Sequence, residues 1–115
     1  MSTHETYVIG IDAGGSTTQA CLASSNGTIL AARQAGTGNV QAIGIEGFVE
    51  TVSQLVQDLC KAANVPRSAI RRIEIGAAGL DREREKEKVL SALSSTGLAE
   101  SFGIQADSLI ALYAG

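Results

Sequence analysis

The residues best suited to do chemistry lie within residues 8–22, which read as a buried strand, a turn and a second strand. Asp12 lies at the bend, beside the adjacent glycines Gly14 and Gly15, and hydroxyl residues follow. Because glycine has no Cβ, the backbone N–H groups of such a turn can approach phosphate oxygens closely. A neighbouring carboxylate can hold Mg²⁺ through water. The segment indicates a phosphate and magnesium site, although an ordinary β-hairpin with a glycine turn has the same local pattern.

Apolar periodicity predicts the elements that must position these residues. The predicted strands are residues 7–11, 19–24, 28–33, 70–77 and 102–106, and the predicted helices are residues 45–64, 82–93 and 108–114. Asn26 and Gly27 predict a type I′ hairpin turn between the second and third strands. Because crossovers through helices are right-handed, strands 1, 4 and 5 should run parallel. This βββαβαβα order predicts an α/β fold with a five-stranded mixed sheet and helices on both faces.

Three segments bring glycine or carboxylate to one edge of this sheet. Asp12, Gly79 and Asp107 each follow the carboxyl end of a strand that we expect to be parallel to the others. Ligands of open α/β sheets bind beyond such strand ends. The convergence favours a phosphate and metal site over a plain hairpin.

Composition excludes several classes of function. The 115 residues are 44% hydrophobic, as expected for one globular domain, and the net charge of −3 argues against a nucleic-acid surface. No apolar run is long enough to span a bilayer and no signal-peptide pattern is present, so a cytoplasmic protein is expected. Residues 1–6 are polar, and we expect them to form a disordered tail.

The histidine and cysteine residues exclude further chemistry. His4 is the single histidine and lies in the polar tail, which removes Ser-His-Asp, Cys-His and histidine-based zinc sites from consideration. Cys21 and Cys60 lie in apolar patterns without metal-ligand spacing. Both are therefore interpreted as small core residues.

Four motifs together resemble the N-terminal part of the actin-like ATPase and sugar kinase superfamily, whose lobes have a ribonuclease H-like fold. Residues 10–18 resemble the first phosphate loop, Gly-Ile-Asp-Gly-Gly-Gly-Thr-Lys-Thr, with Ala13 in place of a glycine and Thr17 in place of the basic residue. Within the superfamily the chain looks most like the N-acetylglucosamine kinases and the BadF/BadG/BcrA/BcrD ATPases. The other three segments resemble the motifs Gly-x-x-Asn, Ala-Gly-Leu and Asn-Asp-Ala, and they are residues 36–39, 78–80 and 106–108.

The resemblance implies a role for each motif. Four residues would approach the β- and γ-phosphates of ATP: Gly14, Gly15, Ser16 and Thr17. Asp12 would orient hydrated Mg²⁺, and Asn39 would bind a hydroxyl of a sugar substrate. Gly79 would line the same cleft, and Asp107 would act as the general base towards the acceptor hydroxyl.

The same resemblance implies the setting of residues 7–115. They would form the N-terminal subdomain of a bilobal ATP-dependent sugar kinase of the N-acetylglucosamine type, and a second lobe would supply the adenosine pocket. Because catalysis in this fold depends on lobe closure that excludes water, the subdomain alone is expected to be close to inactive.

Three other readings stay open at this point. One is the ATPase activator of a BadF/BcrA-type reductase or dehydratase, a class with an iron–sulfur cluster on cysteines between subunits; neither Cys21 nor Cys60 lies in a suitable loop. Another is a non-catalytic subdomain that self-associates, for example as a homodimer, through its apolar last helix. A two-metal nuclease is disfavoured, since the acids of the first helix lie on its polar side.

Overall fold

A five-stranded mixed sheet with the strand order β3-β2-β1-β4-β5 forms the centre of the molecule in the computed structural model. The structure describes residues 6–77, 80 and 82–105. The strands are β1 (Tyr7–Ala13), β2 (Thr18–Ser24), β3 (Ile29–Ala35), β4 (Ile70–Ala77) and β5 (Ser101–Gln105). The helices are α1 (Val40–Ala63), a short 3₁₀ turn (Arg67–Ala69) and α2 (Glu83–Ser94). The predicted order is confirmed as far as β5, and the predicted last helix lies outside the described residues.

Strand pairing follows the sequence prediction. β1 and β2 are antiparallel, as are β2 and β3, whereas β4 runs parallel to both β1 and β5. Asp12 pairs in register with Gly76, and Ala13 with Ala77. The carboxyl ends of β1 and β4 therefore lie side by side at one edge of the sheet, where the site residues were expected to meet.

One face of the sheet carries the hydrophobic core. On β1, Ile9, Ile11 and Ala13 are buried, as period-2 alternation requires. α1 and α2 contact each other and cover this face, with Phe48 and Leu93 fully buried between them and the sheet. The opposite face carries an ion pair between Arg72 and Glu74 on β4, the strand between β1 and the edge strand β5. Helices were predicted on both faces, and both described helices, α1 and α2, lie on the core face; the predicted last helix, residues 108–114, lies outside the described residues.

The turn between β2 and β3 differs from the predicted type I′ turn. A type I′ turn needs positive φ at both central residues, but Gly27 has φ 95° while Asn26 does not have positive φ. The Asn26 side chain accepts a hydrogen bond from the backbone N–H of Thr28 at 3.1 Å and one from the Ser24 hydroxyl. These side-chain hydrogen bonds stabilise a different turn conformation at Asn26. The pairing of β2 with β3 also shifts by one residue between Leu22 and Ala23.

α1 begins earlier than its apolar period predicts. Asn39 caps a first turn, and the helix is then kinked at Gly44, which has φ 76° and ψ 169°. The regular helix from Ile45 onward ends as predicted at Asn64, a C-cap in the left-handed region. None of the helices among the described residues is long and apolar enough to cross a membrane.

α2 presents its charged residues to solvent. It begins at Glu83, one residue after its predicted start. Its run of alternating charges is mostly exposed and includes a Lys86–Glu83 pair at 3.6 Å. The Gln41 side-chain amide also donates to a Glu85 carboxylate oxygen at 3.0 Å, which ties α2 to the start of α1.

Candidate functional site

The turn of residues 14–17, here called the glycine turn, connects β1 to β2. The backbone N–H of Gly14 donates to the carbonyl of Thr17 at 2.9 Å and closes the turn. Gly15, Ser16 and Thr17 are exposed, and none of the described residues accepts a hydrogen bond from their backbone N–H groups. The turn thus presents three backbone donors and two hydroxyls, the kind of donor set that phosphate oxygens need.

The two glycines of the turn differ in the space that a side chain would find. A Cβ on Gly14 would lie 2.8 Å from the carbonyl oxygen of Thr17, so a side chain there would open the turn. A Cβ on Gly15 would meet nothing within 4 Å. The fold therefore requires Gly14, whereas the open space at Gly15 is available to a ligand.

Asp12 lies at the end of β1, on the sheet face opposite the core. Its neighbours Ile11 and Ala13 are fully buried, and its register partners are Gln19 on β2 and Gly76 on β4. Asp12 is half-buried, and its carboxylate forms no hydrogen bond or ion pair with any described residue. An unpaired carboxylate beside phosphate donors fits the oxygen chemistry of a hydrated Mg²⁺ ion.

Carboxylates do not cluster elsewhere in the described residues: no three His, Cys, Asp or Glu side chains lie close enough together to hold a metal ion. Among the described residues, Asp12 is therefore a single carboxylate donor, and Mg²⁺ in phosphoryl-transfer sites commonly takes one or two carboxylates together with water and phosphate oxygens.

The loop of residues 36–39, here called the acceptor loop, lies against the glycine turn. The Thr18 hydroxyl donates to the carbonyl of Gly36 at 2.8 Å, and the backbone N–H of Gly38 donates to the carbonyl of Gly14 at 3.0 Å. The two predicted binding segments are therefore adjacent in space. The link through Thr18 was not predicted from sequence, although a hydroxyl at a core-facing position of β2 is a signal that could have indicated it.

Asn39 has a structural function in addition to its predicted one. Its Oδ1 accepts a hydrogen bond from the backbone N–H of Gln41 at 3.0 Å and caps α1. Its side-chain Nδ2 donates to no described residue. The capping bond fixes the side chain and leaves the amide hydrogens for a ligand oxygen.

The substitutions in the first motif have simple explanations. Ala13 is 0% exposed and points into the core, so its methyl group does not enter the site. Thr17, in place of the basic residue, is exposed and adds a hydroxyl donor instead of a positive charge. Ala13 is therefore compatible with the phosphate loop geometry.

The structure brings the glycine turn against the acceptor loop that contains Asn39, whereas Asp12 adjoins the turn in sequence and lies on the sheet face opposite the core. Gly79 and Asp107 lie outside the described residues, so their cleft-lining and general-base roles remain predictions. Cys60 is buried in the core as predicted, whereas Cys21 is only half-buried on the opposite sheet face. Burial raises the pKa of both thiols.

The chain belongs to the BadF/BadG/BcrA/BcrD ATPase family, whose model matches residues 9–115. This match confirms the resemblance drawn from the four motifs. The match makes this chain a member of an ATPase family, and its five-stranded mixed sheet has the α/β architecture expected of a ribonuclease H-like fold. None of the curated proteins compared with the chain matches it.

Solved structures with the same fold include two sugar kinases. A putative N-acetylglucosamine kinase from Chromobacterium violaceum has a TM-score of 0.69 and 24% identity, over 90% of this chain and 35% of the kinase. A ROK family glucokinase from Streptomyces griseus, solved with glucose and AMPPNP, has a TM-score of 0.61 and 18% identity, over 85% of this chain and 32% of the glucokinase.

A reductive activator for a corrinoid, iron-sulfur protein shares the fold as well. It has a TM-score of 0.61 and 14% identity, over 81% of this chain and 17% of the activator. At such identities these likenesses show the fold alone. The chain spans about a third of each kinase and about a sixth of the activator.

Proposed function

We propose that the chain is the part of an ATP-dependent phosphotransferase that binds the phosphates of ATP and the acceptor, with an amino sugar of the N-acetylglucosamine type as the acceptor. The observation that carries the proposal is the glycine turn, where three unpaired backbone N–H groups lie beside the unpaired carboxylate of Asp12. The family match and the fold shared with two sugar kinases support it.

The residues divide the work by their chemistry. The N–H groups and hydroxyls of the glycine turn would hold the phosphate oxygens, which neutralises the charge that develops during phosphoryl transfer. Asp12 would hold Mg²⁺ through water, and the ion would supply positive charge beside the phosphates. The free amide of Asn39 would donate to a sugar hydroxyl, and Asp107 would accept the proton of the acceptor hydroxyl.

The role of an ATPase activator is the second candidate, since the family contains ATPases and the fold also occurs in a reductive activator. Cys60 is 5% exposed within α1 and Cys21 lies within the strand β2, so neither is placed on a loop. The cysteines do not decide between the two candidates, because the cluster ligands of an activator can lie outside these residues. Self-association of the chain remains a prediction that a concentration series in sedimentation would test.

The first test is a titration of the ¹⁵N-labelled chain with MgATP, followed by NMR and compared with Asp12→Asn. We expect shifts centred on residues 14–18 and at least about tenfold weaker binding in the variant, because a charge-assisted contact is lost. Asp58→Asn is the matched control, since Asp58 lies on α1 and bonds only to Gln54 among the described residues.

A second titration adds N-acetylglucosamine to separate the candidates. Shifts at Asn39 with the sugar would support the kinase, whereas a response to MgATP without any response to sugars would favour the activator. Absence of shifts in the glycine turn at millimolar MgATP would contradict phosphate binding by this chain.

A further inference from the structure

Two hydrogen bonds join the glycine turn and the adjoining residue Thr18 of β2 to the acceptor loop, across 18 or more residues of sequence. One runs from the Thr18 hydroxyl to the Gly36 carbonyl, and the other from the Gly38 N–H to the Gly14 carbonyl. Thr18 is 1% exposed and is the one buried polar side chain among the described residues. A buried hydroxyl without its partner is costly, so this bond should hold its two segments firmly.

Close packing reinforces the two bonds at Gly38. A Cβ at this position would collide with the Thr18 hydroxyl and would lie 2.7 Å from the Cβ of Ala13. A Cβ at Gly36, two residues away, would meet nothing within 4 Å. The acceptor loop is therefore packed against the base of the glycine turn at Gly38, whereas the space that a side chain at Gly36 would enter is open.

The contact continues directly to the predicted acceptor residue. Gly38 precedes Asn39, whose side chain caps the first turn of α1. Gly44 then separates this turn from the rest of α1 by a kink. A shift of the glycine turn can therefore reach Asn39 through Gly38 without displacing the whole helix.

We propose that Thr18 and Gly38 are positioning residues that join the glycine turn and the acceptor loop so that the two segments move together. A shift of the turn on phosphate binding then moves the capped Asn39 side chain into position for the acceptor, and acceptor binding strengthens phosphate binding by the same factor. This inference rests on the proposed function, and it adds a coupling between the two halves of the site.

The first experiment needs no ligand and measures hydrogen exchange at the Gly38 amide in the wild type, Thr18→Val and Thr18→Ser. Loss of the hydroxyl bond should speed exchange of this amide about tenfold in Thr18→Val, the equivalent of one hydrogen bond. Thr18→Ser keeps the hydroxyl and should restore protection. Thr51→Val is the matched control, because Thr51 also donates to a glycine carbonyl, that of Gly47 at 2.9 Å, within α1.

A second pair of variants guards against misfolding of Thr18→Val. Gly38→Ala should likewise speed exchange of the amide at position 38, and Gly36→Ala should leave it unchanged. Unchanged protection at position 38 in both Thr18→Val and Gly38→Ala would overturn the inference.

A second experiment adds MgATP to the ¹⁵N-labelled chain and follows the NMR signal of the Asn39 side-chain amide. In the wild type and in Thr51→Val this signal should move together with residues 14–17, whereas in Thr18→Val only residues 14–17 should respond. Movement of residues 14–17 without movement of Asn39 in the wild type would overturn the coupling and leave phosphate binding intact. If neither responds, phosphate binding and the coupling built on it are both overturned, and the exchange comparison still decides whether the two segments are held together.

Discussion

The two adjacent glycines of the glycine turn give a prediction that separates folding from binding. Gly14→Ala should lower the free energy of unfolding by about 1–3 kcal/mol, because its Cβ would press on the Thr17 carbonyl. Gly15→Ala should change the unfolding free energy by less than about 0.5 kcal/mol, since its Cβ meets nothing. In MgATP titration, however, Gly15→Ala should bind more weakly because the methyl group occupies ligand space.

Urea denaturation and MgATP titration of both variants check this pair. A Gly15→Ala variant that binds MgATP like the wild type would remove the open side of the glycine turn from the phosphate site. The paired design matters because both glycines belong to the same motif, and only their surroundings distinguish them.

Asn39 allows its capping function to be separated from its predicted binding function. Asn39→Ala removes the bond to the Gln41 N–H and should cost about 1 kcal/mol of stability. Asn39→Asp keeps a capping oxygen and should retain that stability, but it loses the amide donor. Both variants should lose the response to N-acetylglucosamine, and an aspartate variant that still responds would contradict the role of the amide.

At the scale of single elements, Gly44 gives a prediction whose sign distinguishes a kinked α1 from a straight one. In a straight helix Gly→Ala would stabilise by about 1 kcal/mol. With φ 76° and ψ 169°, Gly44 instead occupies a region essentially restricted to glycine, so Gly44→Ala should destabilise by about 1–3 kcal/mol. Urea denaturation measures the sign, and Ala62→Gly, at an exposed regular position of α1, sets the ordinary glycine cost.

The elements show what the sequence could and could not predict. The alternation of Ile73 and Ile75 with polar residues predicts β4 with its observed bounds, Ile70–Ala77. The first turn of α1 escaped prediction because Gly44 interrupts the apolar period. The predicted type I′ turn was wrong, because the Asn26 side chain accepts a hydrogen bond from the Thr28 N–H and Asn26 does not adopt positive φ.

In the candidate site, too, some features could be predicted from sequence and others could not. Asp12 and the glycine turn are contiguous in sequence, so their chemistry could be predicted from residue types. Thr18 and Gly38 could not be assigned, because their contact depends on how two distant segments pack. Local patterns carry no information about such a contact beyond the presence of a hydroxyl at a core-facing position.

At the scale of the whole molecule, the two faces of the sheet have different compositions. The face under α1 and α2 is apolar, whereas the opposite face carries Asp12, Cys21 and the Arg72–Glu74 pair along its strands. Glycines lie beside that pair, and a Cβ at Gly103 would collide with both of its side chains. The second face therefore carries polar and charged side chains along its strands, as the alternation of polar with apolar residues in β4 indicates.

The stability of the whole molecule should decrease in alkaline solution because of its two thiols. Burial raises the pKa of Cys60, partly offset by Arg67, and burial raises the pKa of Cys21, partly offset by a backbone hydrogen bond at Gly10. The folded state thus holds these protons more tightly than the unfolded state. The thiol contribution is complete below the ordinary thiol pKa near 9 and is lost as pH rises towards and past the raised folded values.

Urea denaturation under reducing conditions at pH 7, 9 and 10 tests this expectation against the Cys21→Ala/Cys60→Ala double variant. The double variant should be less stable at pH 7, because it loses buried volume, and its stability should fall less between pH 7 and pH 10. Tyrosine and lysine titrations are common to both proteins and cancel in the comparison. Parallel pH profiles for the two proteins would show that neither thiol proton is held more tightly in the fold.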